Sequence, residues 1–152
     1  ASPDYIARHG SPQHPSDLAN HTLLSSPEWN SWSLVGPNEE EFTAQVKPRL
    51  QVNDFASLYT LALSGVGIAP LPMLIAASAI RSDNLVPVLC DWPFEANPIH
   101  ALYPSNRHLS AKVRSFVDFV IESVRPNPPW EVELGEAGEC PKLEDSNPAL
   151  LQ

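Results

Sequence analysis

The residues of this chain whose types could carry chemistry are five histidines (His9, His14, His21, His100, His108), the cysteines Cys90 and Cys140, a Ser-Gly-Val-Gly run at Ser64 to Gly67, and the pair Asn53-Asp54. Zinc-binding histidines stand in pairs a helical turn apart, and none of these five forms an H-x-x-x-H pair on a helical stretch. A hydrolytic serine sits in a G-x-S-x-G turn that opens a helix, whereas Ser64 lies in "LSGVG" at the end of one. The same run lacks the third glycine of a dinucleotide cradle, and its order is helix, Gly-x-Gly, strand instead of strand, turn, helix. The cysteines lie fifty residues apart and give neither a C-x-x-C pair nor a disulfide framework, so a reducing cytoplasm fits. No catalytic, metal or cofactor chemistry is expected. Asn53 and Asp54 offer cap chemistry for a following helix, whose N-terminus presents free N–H groups and the positive end of its dipole. Asp54 already occupies that field, so it either caps the helix or selects a hydroxyl, an amine or a neutral ligand over an anion.

These residues need elements to position them. "ASPDYIARHG" starts with Ser2 as N-cap and Pro3 at the first helical position, and stops at Gly10. His14 to His21 holds a second, shorter helical turn. "HTLLSS" and "WSLV" read as strands, and "EFTAQVKPRLQVN" as one or two more, broken at Lys47-Pro48. Phe55, Leu58, Tyr59, Ala62 and Leu63 share one helical face. Gly65 then closes that helix in a left-handed turn, Gly67 lets the next strand pass close to neighbouring backbone, and Pro72 opens a helix running to about Ile80. "NLVPVL" and "PIHALYP" read as strands. Ser110 caps a last helix whose Val113, Phe116, Val117, Val120, Ile121 and Val124 form one stripe. Helices and strands alternate, so the fold class is α/β. Trp29, Trp32 and Trp92 are expected to plug the core or its edge.

Composition narrows the function classes. The uncharged run from Phe55 to Ile80 is long enough for a membrane span, but Gly65, Gly67, Pro70 and Pro72 cut it into separate elements. Residues 1–126 hold twelve acids and eight bases, and residues 127–152 hold six acids and one base. No basic face is present to neutralise phosphates, which excludes nucleic-acid binding by these residues themselves. Residues 126–152 are Pro-rich and acidic without periodicity and are expected to form a disordered tail. There is no secretory leader, and the start at Ala1 lies so close to a helix start that the beginning is expected to have been cut away.

In this order and spacing, "ASPDYIARHG", "LANH", "VNDFASLYTLALSGVGIAPLP", "NLVPVL" and "IHALYPSNRHLSAKVRSFVDFV" resemble the effector-binding region of LysR-type transcriptional regulators. The resemblance implies a periplasmic-binding-protein-like (type 2) fold of two α/β subdomains that clamp a small-molecule effector. It implies a partial effector-binding domain over residues 1–125, with 6–97 as the second subdomain nearly whole and 98–125 as the return strand and helix of the first. It places the effector against Val52, Asn53, Asp54 and Phe55, more loosely Gly67 and Ile68, with His100 on the crossing strand. DNA contact would come only through an N-terminal winged helix-turn-helix that precedes a segment like Ala1 to Tyr5, in a cytoplasmic homo-oligomer, a dimer or tetramer, with no membrane partner. Two rivals share the fold: a free-standing solute-binding protein, and a truncated remnant or interaction module that binds no ligand. Without the first subdomain's sheet, the stripe of the last helix is expected to lie exposed.

Overall fold

The computed structural model describes residues 1–95 and 111–124. The elements are α1 (Pro3–His9), a 3₁₀ segment (Pro15–Asn20), β1 (Leu24–Ser25), β2 (Ser31–Val35), β3 (Glu41–Gln45), β4 (Leu50–Gln51), α2 (Phe55–Leu63), α3 (Met73–Arg81) and α4 (Ala111–Val124). α1 begins as its sequence dictates: the Ser2 hydroxyl accepts from the Tyr5 N–H, Pro3 needs no intrahelical donor, and Gly10 ends the helix.

Three chain segments run parallel at the centre. β1 pairs with β4, Leu24 opposite Leu50 and Ser25 opposite Gln51. On the other side of β1, Leu23 bridges to Ile68, with Ile68 N–H donating to Thr22 O and Leu24 N–H to Ile68 O, each at 2.9 Å. Gly67 is required by this approach, since a Cβ there would stand 2.3 Å from the Thr22 carbonyl oxygen. Gly65 turns the chain into that strand from the end of α2 with a φ of +69°.

β2 and β3 form a separate antiparallel hairpin, Trp32 opposite Ala44 and Leu34 opposite Phe42, whose inner face turns Trp32, Leu34 and Ala44 inward. The core joins Tyr5, Leu18, Leu23, Trp32, Leu34, Val46, Ile68 and Trp92. A second cluster of Ala62, Ala76, Ala77, Ala79, Ile80 and Leu85 packs α2 on α3, and its small residues permit close helix approach. Fully burying Leu24 or Leu58 stabilises by about 1.5–3 kcal/mol each.

Three expectations fail here. Asn84 to Leu89 is not a strand: Val86 exchanges hydrogen bonds with Ala1 (2.7 and 3.1 Å), but Ala1 leads straight into the N-cap Ser2 and α1, so the pairing stops at one residue. Leu89 then adopts a φ of 56°, which bends the chain into a turn closed by Trp92 N–H on Leu89 O. Cys90 is disulfide-bonded, against the expectation that the cysteines carry no pairing. The segment Gly67 to Leu71 is reduced to the single bridge at Ile68. The strand read at Pro98 to Pro104, the cap Ser110 and the tail lie outside the described residues.

α4 forms over the stretch expected, and much of its stripe is exposed: Phe116 is 66% exposed, Val113 40%, Val120 38% and Ile121 43%, with Val117 and Val124 half-buried. Among the described residues, no helix is long and apolar enough to cross a membrane.

Candidate functional site

In open α/β sheets, the loops at the carboxyl ends of parallel strands form the natural crevice for a ligand, because helix N-termini and free backbone groups converge there. β1, β4 and the Ile68 segment are parallel, so their carboxyl ends fall on one edge. That edge carries Ser26 to Trp29 after β1 and Val52 to Phe55 after β4.

The two loops are tied together. Ser25 is fully buried; its carbonyl accepts from Val52 N–H at 3.0 Å, and its hydroxyl donates to the Trp29 carbonyl at 2.8 Å. This fixes the loop after β1 and brings the half-buried indole of Trp29 edge-on to the half-buried ring of Phe55, with centroids 5.6 Å apart. Val52 also lines an open apolar groove with Leu50, Ala56, Ser57, Thr60 and Leu61 along the flank of β4 and α2.

Asp54 is the N-cap of α2. Its carboxylate accepts from both the Ser57 N–H and the Ser57 hydroxyl at 2.7 Å. The Ser57 backbone N–H, followed by the Ser57 hydroxyl, holds the Asp54 carboxyl below the usual carboxylate range. Its charge therefore persists at the mouth of the helix, where it opposes a second anion. Asn53, beside it, is exposed.

The structure brings Val52, Asn53, Asp54 and Phe55 to this edge as a consecutive turn. Gly67 and Ile68 do something else: both are buried, with the backbone of Ile68 pairing with β1 and its side chain in the core. They support the strand beside the edge without opening onto it. His100 lies outside the described residues. Trp32 and Trp92 plug the core as expected, whereas Trp29 belongs to the edge. The signal that could have placed it was the turn "SSPEWN" directly after a strand, since an aromatic there follows the strand's carboxyl end.

Three comparisons bear on this arrangement. A family model described as the LysR substrate binding domain matches residues 1–125. An HTH-type transcriptional repressor of Pseudomonas aeruginosa is 37% identical over 143 residues, which is 88% of this chain and 43% of that protein. The transcriptional regulator CrgA of Neisseria meningitidis is 30% identical over 84% of this chain and 43% of its own length. The chain thus spans under half the length of these relatives. Among solved structures, the full-length Vibrio cholerae virulence activator AphB superposes with a TM-score of 0.72 at 31% identity, over 80% of this chain and 42% of that one. The regulatory domain of CrgA matches with a TM-score of 0.65 at 29% identity, over 81% of this chain and 61% of that one.

Proposed function

This chain belongs to the LysR substrate-binding domain family, and from that premise we propose that it is the effector-sensing part of a transcription regulator. A small molecule binds at the edge formed by Trp29, Val52, Asn53 and Phe55, and the protein performs no chemistry on it. The observation that carries the reading is the tie through Ser25, which holds the loops after β1 and β4 in one fixed arrangement at the carboxyl edge of parallel strands.

The ligand class follows from the edge's own chemistry. A flat apolar or aromatic body suits the Trp29–Phe55 pair, and the exposed amide of Asn53 offers a hydrogen bond. The persistent charge of Asp54 disfavours a carboxylate at the helix mouth and favours a neutral or hydroxyl-bearing group. Residues 6–97 form the second of two α/β subdomains in a type 2 periplasmic-binding-protein-like clamp, with α4 belonging to the first. Effector contacts that differ between open and closed clamp shift the population, and a DNA-binding module elsewhere in the full regulator reads the shift. The protein works in the cytoplasm as part of a homo-oligomer.

Melting the chain against a panel of neutral aromatic alcohols, aromatic amines and aromatic carboxylates tests this. A raised melting temperature with the neutral or hydroxylated members, abolished by Trp29→Ala while the unliganded melting point stays within a few degrees, supports the reading. Concentration-dependent association with no ligand shift for any member favours the remnant that retains the fold and binds no effector.

A further inference from the structure

Tyr5 is 1% exposed, and its hydroxyl meets two groups. The Thr22 N–H donates to it at 2.8 Å, and His21 Nδ1 lies 3.3 Å away. A phenol carries one proton. With the oxygen already accepting from Thr22, that proton points to Nδ1, and an imidazole accepts it only while that nitrogen is bare. His9 narrows the arrangement further. Its ring stacks on Tyr5 with centroids 4.3 Å apart, and its Nδ1 lies 3.0 Å from the Tyr5 carbonyl, so that nitrogen carries a proton and donates.

We propose that Tyr5, His21 and Thr22 form an acid-released latch between α1 and β1, in which a proton on His21 Nδ1 removes the acceptor of the Tyr5 hydroxyl and loosens α1 from the strand. Among the described residues, the charged groups acting on His21 are His9 on α1, which opposes protonation, and Asp17 on the 3₁₀ segment, which favours it, while Thr22 on the strand side presents its backbone to Tyr5. Burial outweighs Asp17 and, with His9, pushes His21 below its ordinary 6.5. The unfolded chain therefore takes up this proton first as pH falls below 6.5. The stability linked to this proton is full above that value, declines as pH falls toward the folded midpoint and levels off below it.

The consequence reaches the carboxyl edge along one short path. The Thr22 carbonyl holds Ile68, and three residues on, Ser25 holds both Val52 and Trp29. Loosening the entry to β1 loosens the support of both loops, so ligand affinity at the edge falls with acidity if the effector reading holds, and the latch itself operates whether or not it does.

The test uses the full chain, following the His21 ring by NMR titration and the exchange of the Thr22 amide, corrected for its intrinsic pH dependence. The expected result is a His21 midpoint below 6.5 and a loss of Thr22 protection of about tenfold per unit of His21 pKa depression as the ring protonates. His21→Asn keeps an acceptor that does not titrate, and should leave Thr22 protection level with pH. A wild-type ring that titrates at or above 6.5 overturns the proposal. So does a His21→Asn chain that loses Thr22 protection with acid as the wild type does. Should that variant not fold, the wild-type ring titration decides alone.

Discussion

α2 and α4 are both amphipathic, and the longer of the two is the one left uncovered. α2 turns Leu58 and Ala62 inward, 1% and 0% exposed, against β1 and α3. α4 runs five residues longer with a cleaner stripe, and Phe116 and Phe119 are each 66% exposed. Periodicity states what a face requires; it does not state whether the chain supplies it. α2 is answered within a few residues, because Gly65 turns the chain back and Gly67 lets it lie against β1. Nothing among the described residues folds back over α4 in that way.

The strongest way to break that comparison is to truncate a residue on the covered face. Leu58→Ala should destabilise the body by about 2–5 kcal/mol, the sum of lost transfer energy and a cavity between β1 and α2. Urea unfolding followed by tryptophan fluorescence reads it. A cost below about 1 kcal/mol would mean that α2 is as loosely held as α4, and the contrast would collapse.

Much of the body was legible in the sequence because its signals are local. Ser2-Pro3, Asn53-Asp54, Gly65, Gly67 and Pro72 each state a backbone requirement within a residue or two, and the structure meets every one. Asn84 to Leu89 misled because a short apolar run describes a strand only if a neighbour has a free ladder; Ala1 leads straight into Ser2 and α1, and the left-handed Leu89 ends the run. The geometry of the candidate edge was half legible. The resemblance places Val52 to Phe55, at a strand followed by a cap, while Trp29 meets them through the pairing of β1 with β4 and is marked in the sequence only by the turn "SSPEWN" after a strand. The resemblance places Gly67 and Ile68 loosely at the cleft, and in the structure pairing on β1 buries both.

A smaller effect sharpens the comparison at the start of α2. Asp54→Ala removes the acceptor of the Ser57 N–H and hydroxyl, so the first turn frays and the melting temperature drops modestly at neutral pH. The wild-type carboxyl sits below its ordinary 3.8, so its contribution is full above that value and is lost as pH falls through the depressed folded midpoint. The difference in melting temperature between wild type and variant should therefore shrink toward zero in acid. A difference that does not change with pH would show that the cap acts through shape and not through charge, and would free the carboxylate for a ligand.

The smallest expected effect on stability is on α4, and it is the most direct probe of the contrast. Phe116→Ser together with Phe119→Ser replaces two rings that are already two-thirds exposed, so unfolding of the body should change by no more than about 0.5 kcal/mol. Self-association should change much more, because exposed aromatic rings on one helix face are a contact surface for any partner that offers the same. Sedimentation of the wild type and the double variant over a range of concentrations separates these effects. If the variant associates as the wild type does, the stripe is not the contact. If it unfolds more readily by over about 1 kcal/mol, α4 is packed in solution, and the body and the helix form one cooperative unit instead of a covered half and a waiting one.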